Sequence, residues 1–459
     1  MKTTIDKQKD FFDSGVSKNF SFRKDNLKSL YNAIEKNEKR IKDSLFADLG
    51  KSAGESYLTE IFILKNEIKH MISNLKNWMK PEKVSSDISL FPSKAKIYKE
   101  PLGLALIISP WNYPVQLSFA PLAAAIGAGC CSIIKPSEYS PNCSQVIKEI
   151  VSSCFDENYV SVVLGGKEVS QDLLKEKFDV IFFTGNSQVG KEVMKAAAEN
   201  LTPVILELGG KSPCIVDESA NIKLAAKRIM WGKLLNAGQT CVAPDYLLVH
   251  EVIKDKLINE LKQAVETFYG SNPLENIDYP KIISKRHFQR AIKLLDNEKI
   301  IHGGKYNQQT LKIEPTIIDN VDFSSPVMNE EIFAPILPIL TFQSLCQGLK
   351  MIKSLPKPLA VYLFSNVKEH KDKVISELTY GGGCINDTIT HLIPCSLPFG
   401  GVGTSGMGKY HGKAGFDAFS NSKSILEKSL FLDTPLRYPP FKDKMKYLKI
   451  FSKISGLFK

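Results

Sequence analysis

The stretch Leu102-Gly103-Leu104-Ala105-Leu106-Ile107-Ile108-Ser109-Pro110-Trp111-Asn112-Tyr113-Pro114 decides the fold class, because an apolar run stops abruptly at two prolines. The run is far too short to cross a bilayer. A brief apolar run closed by a turn reads as a strand buried on both faces. The same pattern recurs at residues 131–134, 159–163, 180–183 and 204–208, with helical windows between the runs. That alternation predicts an α/β fold built on a parallel sheet.

Upstream, Leu27, Leu30, Ile34, Ile41 and Leu45 are spaced as one face of a helix over about residues 22–49, and Gly50 is placed to stop it. A second helix is expected over 55–78 and extended chain over 83–99. Downstream, a new series begins near Pro213: strands at 214–216 and 246–250, helices at 221–235 and 254–268, and strand candidates at 317–318, 336–340, 360–364 and 383–386. Two lobes are expected. The length of 459 residues suits about three domains, and 43% hydrophobic with 24% charged residues excludes wholesale disorder and fibrous repeats. The amino terminus has no apolar core of a secretory signal, so a cytoplasmic protein is expected. Nine cysteines never spaced as C-x-x-C, and seven histidines without H-E-x-x-H, indicate neither a disulfide framework nor a metal site.

Two glycine strings are decoys. Gly401, Gly403 and Gly406 spell G-x-G-x-x-G, yet they follow Leu397-Pro398-Phe399 and lead into more glycines, where a dinucleotide fingerprint must follow a strand and open a helix. Gly403 to Lys409 spells G-x-x-x-x-G-K but ends in Tyr410, where a phosphate loop needs Ser or Thr. A tight structural loop is the reading taken. Cys241, in Asn236-Ala237-Gly238-Gln239-Thr240-Cys241, stands just past a predicted helix among small residues. A lone cysteine is commonly inert core, whereas a nucleophile needs an oxyanion donor and a base nearby. Asn112, in a turn set by two prolines, offers the donor. Glu207, a carboxylate inside the apolar run Val204-Ile205-Leu206-Glu207-Leu208, offers the base, the alternative being a simple pairing with Lys211. Lys135 and Glu138 follow a strand end, where open α/β sheets bind ligands; solvated surface charge is their alternative.

In this order the segments resemble the aldehyde dehydrogenase superfamily, in its class 3 and fatty-aldehyde branch. The motifs are Pro110-Trp111-Asn112-Tyr113-Pro114, Lys135-Pro136-Ser137-Glu138, Phe183-Thr184-Gly185, Glu207-Leu208-Gly209-Gly210-Lys211, Gly238-Gln239-Thr240-Cys241, Glu330-Glu331-Ile332-Phe333 and Pro398-Phe399-Gly400-Gly401. The resemblance implies two Rossmann-like α/β lobes plus a small β oligomerisation arm. The cofactor-binding domain would take residues 1–80 and 100–208, the catalytic domain 209–414, the arm 81–99 and 415–435, and a basic tail 436–459. It implies oxidation of an aldehyde to an acid: Cys241 adds to the carbonyl, the Asn112 side chain and the Cys241 backbone N–H hold the oxyanion, and a hydride leaves for NAD, with NADP tolerated. Glu207 then activates the water that hydrolyses the thioester.

The resemblance places the adenosine ribose on Lys135 and Glu138, the diphosphate near Gly185 and Gly190, and the nicotinamide ribose on Glu331 beside Phe333. Tyr113, Leu117, Trp231 and Leu235, with Ile389 and Leu392 as weaker candidates, would form an apolar tunnel for medium- or long-chain aliphatic or aromatic aldehydes. Asn186 and Ala334 depart from the family's small serine and glycine. A homodimer is the implied assembly. A CoA-acylating enzyme and a non-catalytic membrane-associated scaffold are the competing readings; Glu207 argues against the first, and the trio Cys241, Asn112 and Glu207 against the second.

The net charge of +11 first suggests nucleic acid or anionic membrane. Residues 436–459 hold Arg437 and six lysines against Asp443, a net +6, which leaves only +5 for the other 435 residues. There Lys442, Lys446, Lys449 and Lys453 alternate helically with Tyr447, Ile450, Phe451, Ile454, Leu457 and Phe458. No nucleic-acid partner is expected. A peripheral membrane contact is, with packing on the protein as the alternative.

Overall fold

A computed structural model describes residues 2–296 and 298–457. Five parallel strands and one antiparallel one form the first sheet, in the spatial order Gly406–Met407, Val204–Leu208, Val180–Gly185, Leu104–Ile108, Cys131–Lys135, Val160–Val162. The run that decided the fold class is the central strand Leu104–Ile108, buried throughout. Chain order reverses between it and Val180–Gly185, and such a switch point opens a crevice at the carboxyl ends of the strands. The helix after the proline turn, Pro114–Ala128, is buried on every side, consistent with a sequence apolar but for Gln116 and Ser118.

The second lobe carries a seven-stranded sheet, in the order Lys299–His302, Thr316–Asp319, Ile336–Phe342, Tyr246–His250, Pro213–Val216, Ala360–Phe364, Gly382–Ile385. All its pairings are parallel except that of the edge strand Lys299–His302. Every strand expected from sequence in the two lobes overlaps one of these elements, though 159–163 shortens to Val160–Val162 and 383–386 ends at Ile385. The glycine-dense stretch returns the chain to the first lobe, where Gly406 pairs with Glu207 and Met407 with Leu206. The expected limit of the catalytic lobe at residue 414 lies a few residues beyond this strand, in the next helix. The following helix, Gly412–Ala418, packs on that lobe too, with Phe416 against Trp78.

The helix expected over 22–49 is two helices, Phe20–Lys36 and Glu38–Leu49, parted at Asn37, whose side chain folds back onto the Ala33 carbonyl. Leu27, Leu30, Ile34, Ile41 and Leu45 are fully buried, and Gly50 ends the second helix in the left-handed conformation that favours glycine (φ 64°). The stretch 55–78 begins as Ala53–Ser56, widens into a π-helical turn at Tyr57–Phe62 and continues as Ile63–Trp78. An amino-terminal helix, Lys2–Asp13, had too few apolar positions to show a periodicity; it docks through Gln8, which donates to the carbonyls of Ser132 and Glu157.

Glu82–Val84, Ser93–Pro101 and Ser420–Lys428 form a separate antiparallel sheet with Ser93–Pro101 in the middle. Ser420–Lys428 leaves its outer edge unpaired and is exposed along most of its length. Beyond it comes the tail helix Met445–Leu457, with Met445, Tyr447 and Ile450 exposed. Phe458 lies outside the described residues, as do the side chains of Phe451, Ile454 and Leu457. Among the described residues no helix is long and apolar enough to cross a membrane.

Candidate active site

The turn after Leu104–Ile108 carries Asn112 into the crevice between the lobes, where it is buried. Its side-chain amide donates to the Gln239 carbonyl at 3.0 Å, which orients the group and uses one of its two N–H bonds. Its own carbonyl accepts from the Asn236 side chain (2.7 Å) and from Lys51 Nζ (3.3 Å). Lys51 is wholly buried and pairs with the equally buried Glu60 at 2.8 Å. The second oxygen of Glu60 accepts the Val115 and Gln116 amides at the start of the buried helix, where a carboxylate offsets the helix dipole. Thus one buried ion pair fixes the turn from both sides.

Cys241 sits on the chain that leaves helix Ile222–Leu234. Asn236, Ala237 and Gly238 take three successive left-handed conformations (φ 53°, 52° and 75°). At Gly238 a Cβ would come 2.3 Å from the Ala334 carbonyl oxygen, so only glycine lets the two backbones touch. Gln239 locks the loop: its amide donates to the Asn236 and Lys281 carbonyls and its oxygen accepts the Ile283 N–H. Thr240 shares a 2.6 Å hydrogen bond with the Tyr113 hydroxyl. Burial, then the nearby carboxyls of Glu331 and Glu207, raise the Cys241 thiol pKa, while the Cys241 and Val242 amides act the other way.

Glu207 lies at the end of the strand opposite, 3% exposed, and neither carboxylate oxygen has a hydrogen-bond partner among the described residues. Burial pushes its pKa well above the usual carboxylate range, opposed by Lys409, whose ammonium is bound to the carbonyls of Gly381 and Gly400. The alternative pairing with Lys211 does not occur. Lys211 is held by Asp245 and the carbonyls of Val327 and Glu330. A buried acid with no partner is costly, and such a group is a candidate for proton transfer.

Glu331 faces the same space. Its carboxyl lies against the backbone of Gly209, has one unpartnered oxygen, and is pushed up to about 8 by burial and by Asp245. Arg290 holds this loop by donating to the Glu331 and Ile332 carbonyls, and Asp245 accepts the Ile332 amide. Phe333, at φ 50°, sets its ring edge-on to Trp111. On the cofactor side, Lys135 is 3% exposed and pairs with the half-exposed Glu138 at 2.8 Å. Gly185 ends its strand, and Asn186 caps the following helix by accepting the Val189 amide at 2.9 Å. This departure from serine is therefore itself a cap. Gly190 brings that helix onto Leu208, and Ala334 is buried in the second lobe's core. An orphaned Glu331 oxygen, a glycine beneath it and a helix start beside an open strand end suit a dinucleotide.

Of the expected tunnel residues, Leu117 and Ile389 are buried, Tyr113, Leu235 and Leu392 are half-buried, and Trp231 is 39% exposed. Lys51, Glu60, Asn236 and Lys409 were missed because each acts through chain far away in sequence.

The Aldehyde dehydrogenase family matches residues 2–425 of the chain. The chain is 51% identical to the 4,4'-diaponeurosporen-aldehyde dehydrogenase of Staphylococcus aureus, over 97% of each protein. It is 43% identical to the rat enzyme named "Aldehyde dehydrogenase, dimeric NADP-preferring", over 96% of this chain and 98% of that one. The substrate-bound structure of Staphylococcus aureus AldH superposes with a TM-score of 0.96 at 50% identity, covering 98% of this chain and 99% of that one. With a thiol, an amide donor and a buried acid gathered where the two sheets meet, and with a match spanning nearly its whole length, the chain belongs to the aldehyde dehydrogenase family.

Proposed function

We propose that this protein oxidises aldehydes to carboxylic acids with NAD or NADP, using Cys241 as nucleophile and Glu207 as base. The observation that carries this reading is the pair of unpartnered Glu207 oxygens within electrostatic reach of Cys241. When bound, an oxidised nicotinamide would supply a positive charge and the acceptor for the hydride. Lys135, Glu138, Glu331 and Phe333, with Gly185 and Gly190, would hold the dinucleotide. The Cys241 Sγ proton passes to Glu207 and on to solvent, Sγ bonds to the aldehyde carbon, and the oxyanion takes the spare Asn112 N–H and the Cys241 amide. Loss of hydride from that carbon leaves a thioester. Glu207 then takes a proton from water, whose oxygen attacks the thioester carbon; the thiolate leaves and the acid is released. A buried base facing the thioester favours water over a thiol as acceptor.

Tyr113, Leu117, Trp231 and Leu235 support an apolar aldehyde, medium- or long-chain or aromatic. The cation beneath them, Lys51, is already paired with Glu60. Comparing kcat/KM for hexanal, decanal and succinic semialdehyde tests this, and preference for the last overturns it. The free edge of Ser420–Lys428, with the word "dimeric" in a relative's name, supports a homodimer, which light scattering of the eluted protein would measure. Exposed Leu430, Phe431, Met445, Tyr447 and Ile450 beside the tail's lysines support contact with an anionic membrane. Equal sedimentation with anionic liposomes, with and without residues 440–459, would dismiss it.

A further inference from the structure

The backbone that presents Cys241 is strained. Asn236 and Ala237 are non-glycine residues in the left-handed region, which persists only where neighbours hold it. Helix Ile222–Leu234 has ended by this point, so the Asn236 amide needs a partner from elsewhere. It finds one in Glu55, whose Oε1 accepts it at 2.6 Å across 181 residues of sequence. Glu55 stands in the short helix Ala53–Ser56, capped by Ser52, immediately before the wide turn that carries Glu60. Its neighbour Lys51 pairs with Glu60 and leaves Glu55 to the amide. The side chain of Asn236 in turn donates to the Asn112 and Gln239 carbonyls. One carboxylate thus anchors the residue that ties the oxyanion turn to the nucleophile loop.

We propose that Glu55 is a positioning residue for the aldehyde reaction, holding the left-handed run 236–238, and with it Cys241 and Asn112, through its hydrogen bond to the Asn236 amide. The inference rests on Cys241 being the nucleophile. The groups facing Glu55 are Lys51 and Glu60 from its own segment, Asp278 from the turn before Tyr279, and the phenols of Tyr113, Tyr269 and Tyr279. Burial, reinforced by Glu60 and Asp278 and opposed by Lys51 and the Asn236 amide, raises its pKa to about 7. Above that pH the carboxylate is a charge-assisted acceptor; below it the protonated group is a weaker one. Sequence reading offered no signal for it, since an acid in a short helix beside two small residues reads as surface.

The experiment compares wild type, Glu55→Gln and Glu55→Ala in two readouts between about pH 6 and pH 9: kcat with decanal, and the rate at which iodoacetamide alkylates Cys241, followed on its peptide by mass spectrometry. Losing the charged acceptor should lower kcat and change the alkylation rate by at least about tenfold in Glu55→Ala. Glu55→Gln keeps an acceptor oxygen; it should stay within about threefold of wild type near pH 8 and lose the inflection near pH 7 in the alkylation rate. Glu55→Ala matching wild type in both readouts, or an inflection near pH 7 in the alkylation rate that persists in Glu55→Gln, overturns the proposal. If Glu55→Ala does not fold, the Glu55→Gln profile decides alone. Alkylation needs no turnover, so a Cys241→Ala variant that still oxidises decanal would refute the nucleophile while leaving the effect of Glu55 on the thiol readable.

Discussion

Gly209 lies directly beneath the carboxyl of Glu331, so close that a Cβ would stand 2.0 Å from Oε2. The glycine pair after Glu207 therefore has a steric purpose, which is to let a second acid reach the crevice from the other lobe. Gly209→Ala should displace Glu331 and, on the cofactor assignment, raise KM for NAD at least about tenfold with a smaller change in KM for aldehyde. Equal changes in both constants would show that Glu331 does not serve the cofactor.

The Lys51 and Glu60 pair is buried with no exposure of either side chain. Removing one partner strands a charge, and Lys51→Met should cost about 3–5 kcal/mol of stability, seen as a lower urea midpoint. The double variant Lys51→Met with Glu60→Leu should recover part of that loss. It should not recover activity, because the Asn112 carbonyl and the amides of Val115 and Gln116 would still lack their anchors.

Glu207 predicts a pH dependence in two quantities. Its folded pKa is raised, so between the unfolded value near 4.3 and the folded value the native state holds a proton that the unfolded chain has released. Stability from this group is full below the unfolded pKa and is lost as pH rises through the folded one. The melting temperature of Glu207→Gln, relative to wild type, should therefore climb as pH is raised above about 4.5. Deacylation requires the ionised form, so its rate should rise with pH over the same raised range and become flat in Glu207→Gln. A pH-independent difference in melting temperature would mean that Glu207 titrates as an ordinary carboxylate.

The strands were legible because apolar runs such as residues 104–108 and 204–208 are buried on both faces and carry no competing pattern. Cys241, Asn112 and Glu207 were singled out through motif order, and the structure adds what spacing cannot convey. Asn236 is ordinary as a letter in the sequence; its role comes from a left-handed backbone and a partner 181 positions away. Lys409 looked like part of a false phosphate loop and instead sits beside Glu207. The short strand Gly406–Met407 was not read from the sequence, because two residues have no periodicity. The amino-terminal helix escaped notice for a related reason, since Ile5, Phe11 and Phe12 are its only apolar residues and are too few to show a helical spacing.

The central claim is that the carbonyl carbon is bonded to Cys241 and released by Glu207, and the trapped intermediate tests it most directly. Glu207→Gln mixed rapidly with decanal and NAD, quenched in acid and digested, should yield one burst of NADH and a decanoyl group on the peptide containing Cys241. A Cys241 peptide free of the acyl group after such a burst would contradict the account.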